Sequence, residues 1–224
     1  MRDIAACVIG LALIFTADLH AQTPPRNFLV IVDDLHFEFR ITARARDLIR
    51  RTLWTLIRNG DLIGVVSTGP SSIAVPPTAD HSVLEDVIKR VSGGGLSRRD
   101  LLDTPTIAGA TELLRREETA FSVATDAVRA LTSTEKSPPT ILYFTSGYPS
   151  LVTEPVELIT AVLAANAALY VIDPRLLVSG PSSQAHWDPD LSATQTSLRT
   201  LAQRTGGTAV FAVSEWNAAL ALLK

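Results

Sequence analysis

The stretch Phe28-Leu29-Val30-Ile31-Val32-Asp33-Asp34-Leu35-His36-Phe37 decides how the rest of the chain is read. Its first five residues are all apolar, and the run stops abruptly on two carboxylates. An unbroken run rich in β-branched residues predicts a strand buried on both faces, as in a parallel sheet covered by helices. Carboxylates at the carboxyl end of such a strand sit where open α/β sheets place their ligand crevices.

The flanking segments repeat the pattern. From Arg40 to Arg58 the apolar positions Ile41, Ala45, Leu48, Ile49, Leu53, Leu56 and Ile57 recur at helical spacing. Gly60 falls where a helix C-cap is expected, and Trp54, beside the apolar stripe, reads as core. Asp61 to Ser67 predicts a second strand, and Ser72 to Val75 a brief one running back, ended by Pro76-Pro77. Asp80 is placed to cap a helix carrying Val83, Leu84, Val87, Ile88 and Val91. The following Ser92-Gly93-Gly94-Gly95 has no strand before it and opens no helix, so it does not fit a phosphate-cradling loop. A loop-rich section then runs to about Glu117, followed by a helix from Thr119 to Leu131.

Thr140-Ile141-Leu142-Tyr143-Phe144 predicts a third buried strand, ending in Thr145-Ser146-Gly147. An alanine-rich helix follows from Val156 to Ala167, then a fourth buried strand from Ala168 to Asp173-Pro174. Ser179 to Ser192 reads as a surface loop, Thr194 to Arg204 as a helix, and Thr208 to Val213 as a last strand. Ser214 is the expected cap of a terminal helix with Trp216, Leu220 and Leu223. Strands alternating with amphipathic helices specify an α/β fold. We expect a doubly wound, mostly parallel sheet of about six strands with one short antiparallel edge strand and helices on both faces.

Composition agrees with one globular domain. The 224 residues are 46% hydrophobic and 19% charged, enough for a sizeable core and against wholesale disorder. A net charge of −3 supplies no basic footprint for nucleic acid or an anionic membrane. Arg44, Arg46, Arg50, Arg51 and Arg58 cluster on what reads as the solvated side of one helix.

Residues 1–21 form a separate unit. Arg2 precedes an apolar run from Ile4 to Phe15, and Leu19-His20-Ala21 ends on a small residue, the pattern of a secretory signal; an uncleaved membrane anchor or a buried first helix is the alternative. The run is too short to cross a bilayer as a helix. Residues 22–224 are then the mature domain, expected to be secreted or periplasmic. Cleavage also removes Cys7, the single cysteine, leaving no thiol chemistry and no disulfide.

In strand order the chain resembles a von Willebrand factor type A domain, and most of all the VWFA-related domains of secreted bacterial proteins. Four stretches carry the resemblance: Val32-Asp33-Asp34-Leu35-His36, Asp61-Leu62-Ile63-Gly64-Val65-Val66, Thr140 to Gly147, and Ala168 to Arg175 with the later Leu201-Ala202-Gln203-Arg204-Thr205-Gly206-Gly207. Together they cover most of the mature chain. The resemblance implies an adhesion-type, protein-binding module whose Asp-x-Ser-x-Ser motif holds a divalent cation, commonly magnesium, at the top of the sheet. Asp33 matches the motif aspartate, whereas Leu35 and Phe37 stand at its two serine positions and offer no ligand atom. The metal set that remains is degenerate: Asp33, Asp34, Thr119 and Ser146, with Ser67 a further hydroxyl within the same reach. The competing reading is that Asp33 and Asp34 cap helix N-termini or accept backbone N–H bonds at the strand end.

Other chemistry is thinner. His36 beside two carboxylates suits a transition metal or a base, but His81 and His186 lie in distant loops or caps. No serine lies in a Gly-x-Ser-x-Gly elbow. Asp173 either lines the same crevice as Asp33 or starts a turn. Tyr148 and Trp187 fall in predicted loops and, with Asp33, Asp34 and His36, are the candidate partner contacts. The expected function is therefore a secreted binding module working through the carboxyl-end loops. A structural or assembly subunit of the bacterial envelope, with no metal site, is the alternative. An enzyme is not expected, because no nucleophile–base constellation is visible.

Overall fold

The computed structural model describes residues 24–96, 107–134, 137–148, 154–175 and 189–223. The expected signal peptide and Trp187 lie outside the described residues.

Six strands form one sheet: β1 (Asn27–Val32), β2 (Leu62–Ser67), β3 (Ala74–Thr78), β4 (Thr140–Phe144), β5 (Ala168–Ile172) and β6 (Ala209–Val210). Their order is β3-β2-β1-β4-β5-β6, with every neighbouring pair parallel except β2 and β3. The doubly wound α/β fold expected from the sequence is what forms. β1 lies between β2 and β4, and every residue of it is buried. Phe28, Val30 and Val32 point to one face of the sheet, Leu29 and Ile31 to the other. Burying five such side chains contributes of order 10 kcal/mol before the entropy of ordering is set against it.

Each face has its own helices. Helices α1 (Thr42–Leu56), α2 (Leu84–Arg90) and α6 (Val213–Leu223) cover the Val30 face. On the Ile31 face lie α3 (Ile107–Thr134), α4 (Val156–Ala164) and α5 (Pro189–Arg204). Helix α1 forms because Ala45, Leu48, Ile49, Leu53 and Leu56 repeat at helical spacing and are all buried. Among the described residues no helix is long and apolar enough to cross a membrane.

Several boundaries differ from the sequence expectation. Helix α3 starts twelve residues before Thr119, through a stretch read as loop. There Glu112 pairs with Arg115 and Arg116 one turn on. Strand β3 runs through Pro76 and Pro77, which an edge strand tolerates because its outer N–H groups have no partner to lose. Helix α1 ends at Leu56, and Gly60 instead closes the turn to β2 at φ +91°. At α6 the Glu215 carboxylate, not Ser214, accepts the N–H groups of Phe211 and Ala212. Trp54, read as core, is 47% exposed, because it falls off the buried stripe.

At the amino edge of the sheet Arg26 acts as a clasp. Its guanidinium pairs with Asp61 at 2.7 Å and donates to the carbonyl of Leu56 and to that of Leu223. The chain entering β1 is thereby tied to the turn before β2 and to the end of α6.

Candidate functional site

The switch point of a doubly wound sheet lies where successive connections leave in opposite directions. Here that is between β1 and β4, and Asp33 stands there. The three central strands end in register, Val32 opposite Ser67 on one side and Phe144 on the other. The next residue of each strand, Asp33, Thr68 and Thr145, therefore lines up across the carboxyl edge.

Their side chains meet. Asp33, fully buried, accepts on Oδ1 from Thr68 Oγ1 at 2.8 Å and His36 Nδ1 at 2.9 Å. Its Oδ2 accepts from Thr145 Oγ1 at 2.7 Å and from the same Nδ1 at 3.0 Å, with the Tyr143 hydroxyl at 3.4 Å. Burial alone would raise the Asp33 pKa. The neighbouring His36 and the hydrogen bonds from His36, Thr145 and Thr68 outweigh it and leave the carboxyl below its ordinary value. Thr68 and Thr145 were not singled out in the sequence. Their signal is the register of the strand ends, which one chain read linearly does not display.

Asp34 turns toward the β2–β3 turn, where its carboxylate accepts from Gly69 N at 2.6 Å and Ser71 N at 2.7 Å. Burial raises its pKa, and those hydrogen bonds only partly offset it. The backbone-capping reading of Asp34 is the one that the geometry realises. Ser67, also weighed as a ligand, accepts from Ile73 N at 2.8 Å inside the same turn.

His36 is partly a surface residue by position, yet its side chain is only 4% exposed. Nδ1 faces Asp33, and the ring meets the edge of Tyr148, centroids 4.7 Å apart. Tyr148, expected as an exposed partner contact, is 2% exposed: it packs on Phe121 and hydrogen-bonds the Tyr143 hydroxyl. Burial, then the Asp33 charge, raises both tyrosine pKa values well above the usual range. Neither His36 nor Tyr148 thus offers a surface, because the aromatic ring closes over the imidazole. Among the described residues, two buried polar atoms here, His36 Nε2 and Ser146 Oγ, meet no hydrogen-bond partner.

Thr119 does not join this group. It lies inside α3, not at a helix start, and its hydroxyl donates to the Arg115 carbonyl at 2.7 Å. Asp173 starts a turn, accepting from Arg175 N at 2.9 Å and pairing with the Arg175 guanidinium. Leu35 and Phe37, the residues that the resemblance sets opposite two serines, are packing residues here. Phe37 is wholly buried in the core, and Leu35 lies so close to Gly69 that a Cβ there would come within 2.7 Å of it.

The triple glycine, set aside in the sequence, locks these loops. Gly94 N donates to the Asp34 carbonyl at 2.7 Å, Gly95 N to the Phe37 carbonyl at 2.9 Å, and Gly93 N to Thr42 Oγ1 at 3.0 Å. A Cβ on Gly93 would sit 2.4 Å from the Phe37 carbonyl oxygen, so only glycine allows the approach. Arg116, from α3, adds bonds to the carbonyls of Leu35 and Gly94.

A divalent cation such as magnesium takes near-octahedral oxygen ligands with unshared lone pairs. The residues present do not fit one. Asp33 and Asp34 point their oxygens at protein donors, Leu35 and Phe37 carry none, and the Thr119 hydroxyl is committed elsewhere. Among the described residues, no three His, Cys, Asp or Glu side chains converge as a metal-holding group.

No known protein-family model matches the chain, and no curated protein sequence does. Solved structures do. The pilus adhesin SpaC from Lactobacillus rhamnosus GG, in its open conformation, aligns with a TM-score of 0.51 at 11% identity, over 90% of this chain and 29% of the adhesin. Proximal thread matrix protein 1 from the mussel byssus aligns with a TM-score of 0.48 at 12% identity, over 89% of this chain and 47% of that one. The chain thus spans less than a third of the adhesin and about half of the byssus protein. At such identities the likeness is one of fold: an α/β sheet that this chain shares with a segment of a pilus adhesin.

Proposed function

We propose that this chain is an exported protein-binding module of the von Willebrand factor A type, not an enzyme, which captures its partner through the loops at the carboxyl edge of the sheet. The observation that carries this is Phe39. Just beyond the interlocked loops, on the short helical turn that leads into α1, its ring is 74% exposed and flanked by the Glu38–Arg40 ion pair. A rigidly mounted aromatic inside a polar rim has the composition of an interface anchor. The pilus adhesin that shares the fold supplies the context for adhesion.

The test is capture from an envelope extract on immobilised protein, comparing the wild type with Phe39→Ser and with Asn59→Ala at the opposite edge. Phe39→Ser should weaken retention of a specific partner by about tenfold or more, while Asn59→Ala leaves it intact. Equal retention by all three proteins places the binding surface elsewhere. A second surface favours the assembly-subunit alternative: Val156 and Leu163, seven residues apart on one stripe of α4, are 59% and 55% exposed. Loss of the partner with Leu163→Lys but not with Phe39→Ser would select it.

A further inference from the structure

The Asp33 carboxylate ends the central strand at the switch point, and its oxygens are engaged by protein: each takes a threonine hydroxyl within 2.8 Å, and the two share His36 Nδ1 at 2.9 and 3.0 Å. We propose that His36, assisted by Thr68 and Thr145, takes the position at Asp33 that a divalent cation would otherwise occupy, so that an internal imidazole–carboxylate pair holds the carboxyl-edge loops in place of a metal. This does not depend on whether Phe39 contacts a partner.

Four observations converge on it. His36 lies three residues after Asp33, and its own N–H donates to the Asp33 carbonyl at 3.2 Å, so the loop itself folds the ring back onto the carboxylate. Nδ1 reaches both oxygens almost symmetrically, at 2.9 and 3.0 Å, so one ring nitrogen spans the carboxylate. Among the described residues, buried Nε2 meets no hydrogen-bond partner, so the polar contact the ring makes is the one to Asp33. Finally, Leu35 packs against Gly69 and Phe37 into the core, so the loop is braced by apolar contact where oxygen ligands would radiate from an ion.

The experiment is a thermal melt and a manganese titration followed by electron paramagnetic resonance. Wild-type protein, His36→Ala and His36→Asn are each measured in chelator and in millimolar magnesium or manganese. In the wild type the melting temperature should be the same in chelator and in metal, and no manganese should bind at micromolar concentration. His36→Ala should melt lower than the wild type in chelator by about 5 °C or more, and His36→Asn, which keeps one donor, by less. Micromolar manganese binding by the wild type, or a melt raised by several degrees in metal, overturns the proposal. So does a His36→Ala protein as stable as the wild type in chelator. If the alanine variant does not fold, the wild-type titration and His36→Asn still decide.

Discussion

Replacing Asp34 by alanine removes the acceptor of two backbone N–H groups, Gly69 at 2.6 Å and Ser71 at 2.7 Å, and leaves nothing of similar reach. A buried donor left without a partner costs about 1–3 kcal/mol, and a bond to a charged acceptor about 1.5–3 kcal/mol. Ser71 is buried and pays that in full, whereas Gly69 is half-buried and water partly rescues it. The carboxylate is itself raised in pKa by burial, which returns part of the sum when it is deleted. The net expectation for Asp34→Ala is a loss of about 3 kcal/mol. In a domain of this size that lowers the melting temperature by about 6–12 °C. Urea unfolding followed by tryptophan fluorescence measures it, with an unchanged slope showing that the unfolded state is the same. Amide exchange adds a local reading: Gly69 and Ser71 should lose protection while β1 keeps it. Asp86→Ala, at a carboxylate 82% exposed, is the control and should leave the midpoint where it is. A midpoint for Asp34→Ala that matches the control would refute the view that this carboxylate holds the β2–β3 turn.

The two neighbouring carboxylates should pull the pH dependence of stability in opposite directions. The Asp33 pKa is lowered in the fold, so its contribution is present above the unfolded value of about 3.9 and is lost as the pH falls through the folded value; Asp33→Asn should flatten the acid limb of the stability curve. The Asp34 pKa is raised, so its contribution is full below about 3.9 and lost as the pH rises through the folded value; Asp34→Ala should steepen that limb. Denaturant midpoints between acid and neutral pH check both signs. At the glycine lock, Gly93→Ala drives a Cβ to 2.4 Å from backbone oxygen and should cost about 3 kcal/mol. Gly60→Ala meets no atom within 4 Å and should cost only the strain of its φ of +91°, about 1 kcal/mol. Paired urea midpoints rank the two.

Most of the fold was legible because burial writes itself into period. β1, β4 and β5 each carry four or five consecutive apolar residues, β2 carries Leu62, Ile63, Val65 and Val66 around Gly64, and α1 repeats its buried residues at helical spacing. The start of α3 was read as loop, yet the helix already runs there, with Glu112 paired to Arg115 and Arg116 along it. The site was half legible. Asp33 and Asp34 announce themselves at the end of β1, but Thr68 and Thr145 reach Asp33 from 35 and 112 residues away. Only the register of three strands brings them together. Tyr148 misled for a related reason: a loop position in sequence says nothing of the aromatic floor formed by Tyr143 and Phe121, which buries it. The structural role of glycines 93–95 was not legible because the surface that demands them, the backbone of Phe37, belongs to another segment.

The Arg26 clasp has a mechanical consequence. Its guanidinium grips Asp61 and the Leu223 carbonyl together, so the segment entering β1 and the last turn of α6 are bolted side by side at the amino edge of the sheet. A tensile load applied across those two segments is carried first by the clasp, and the hydrogen-bonded strands behind it stay slack until it opens. Arg26 is therefore the fuse that yields before β1 is sheared.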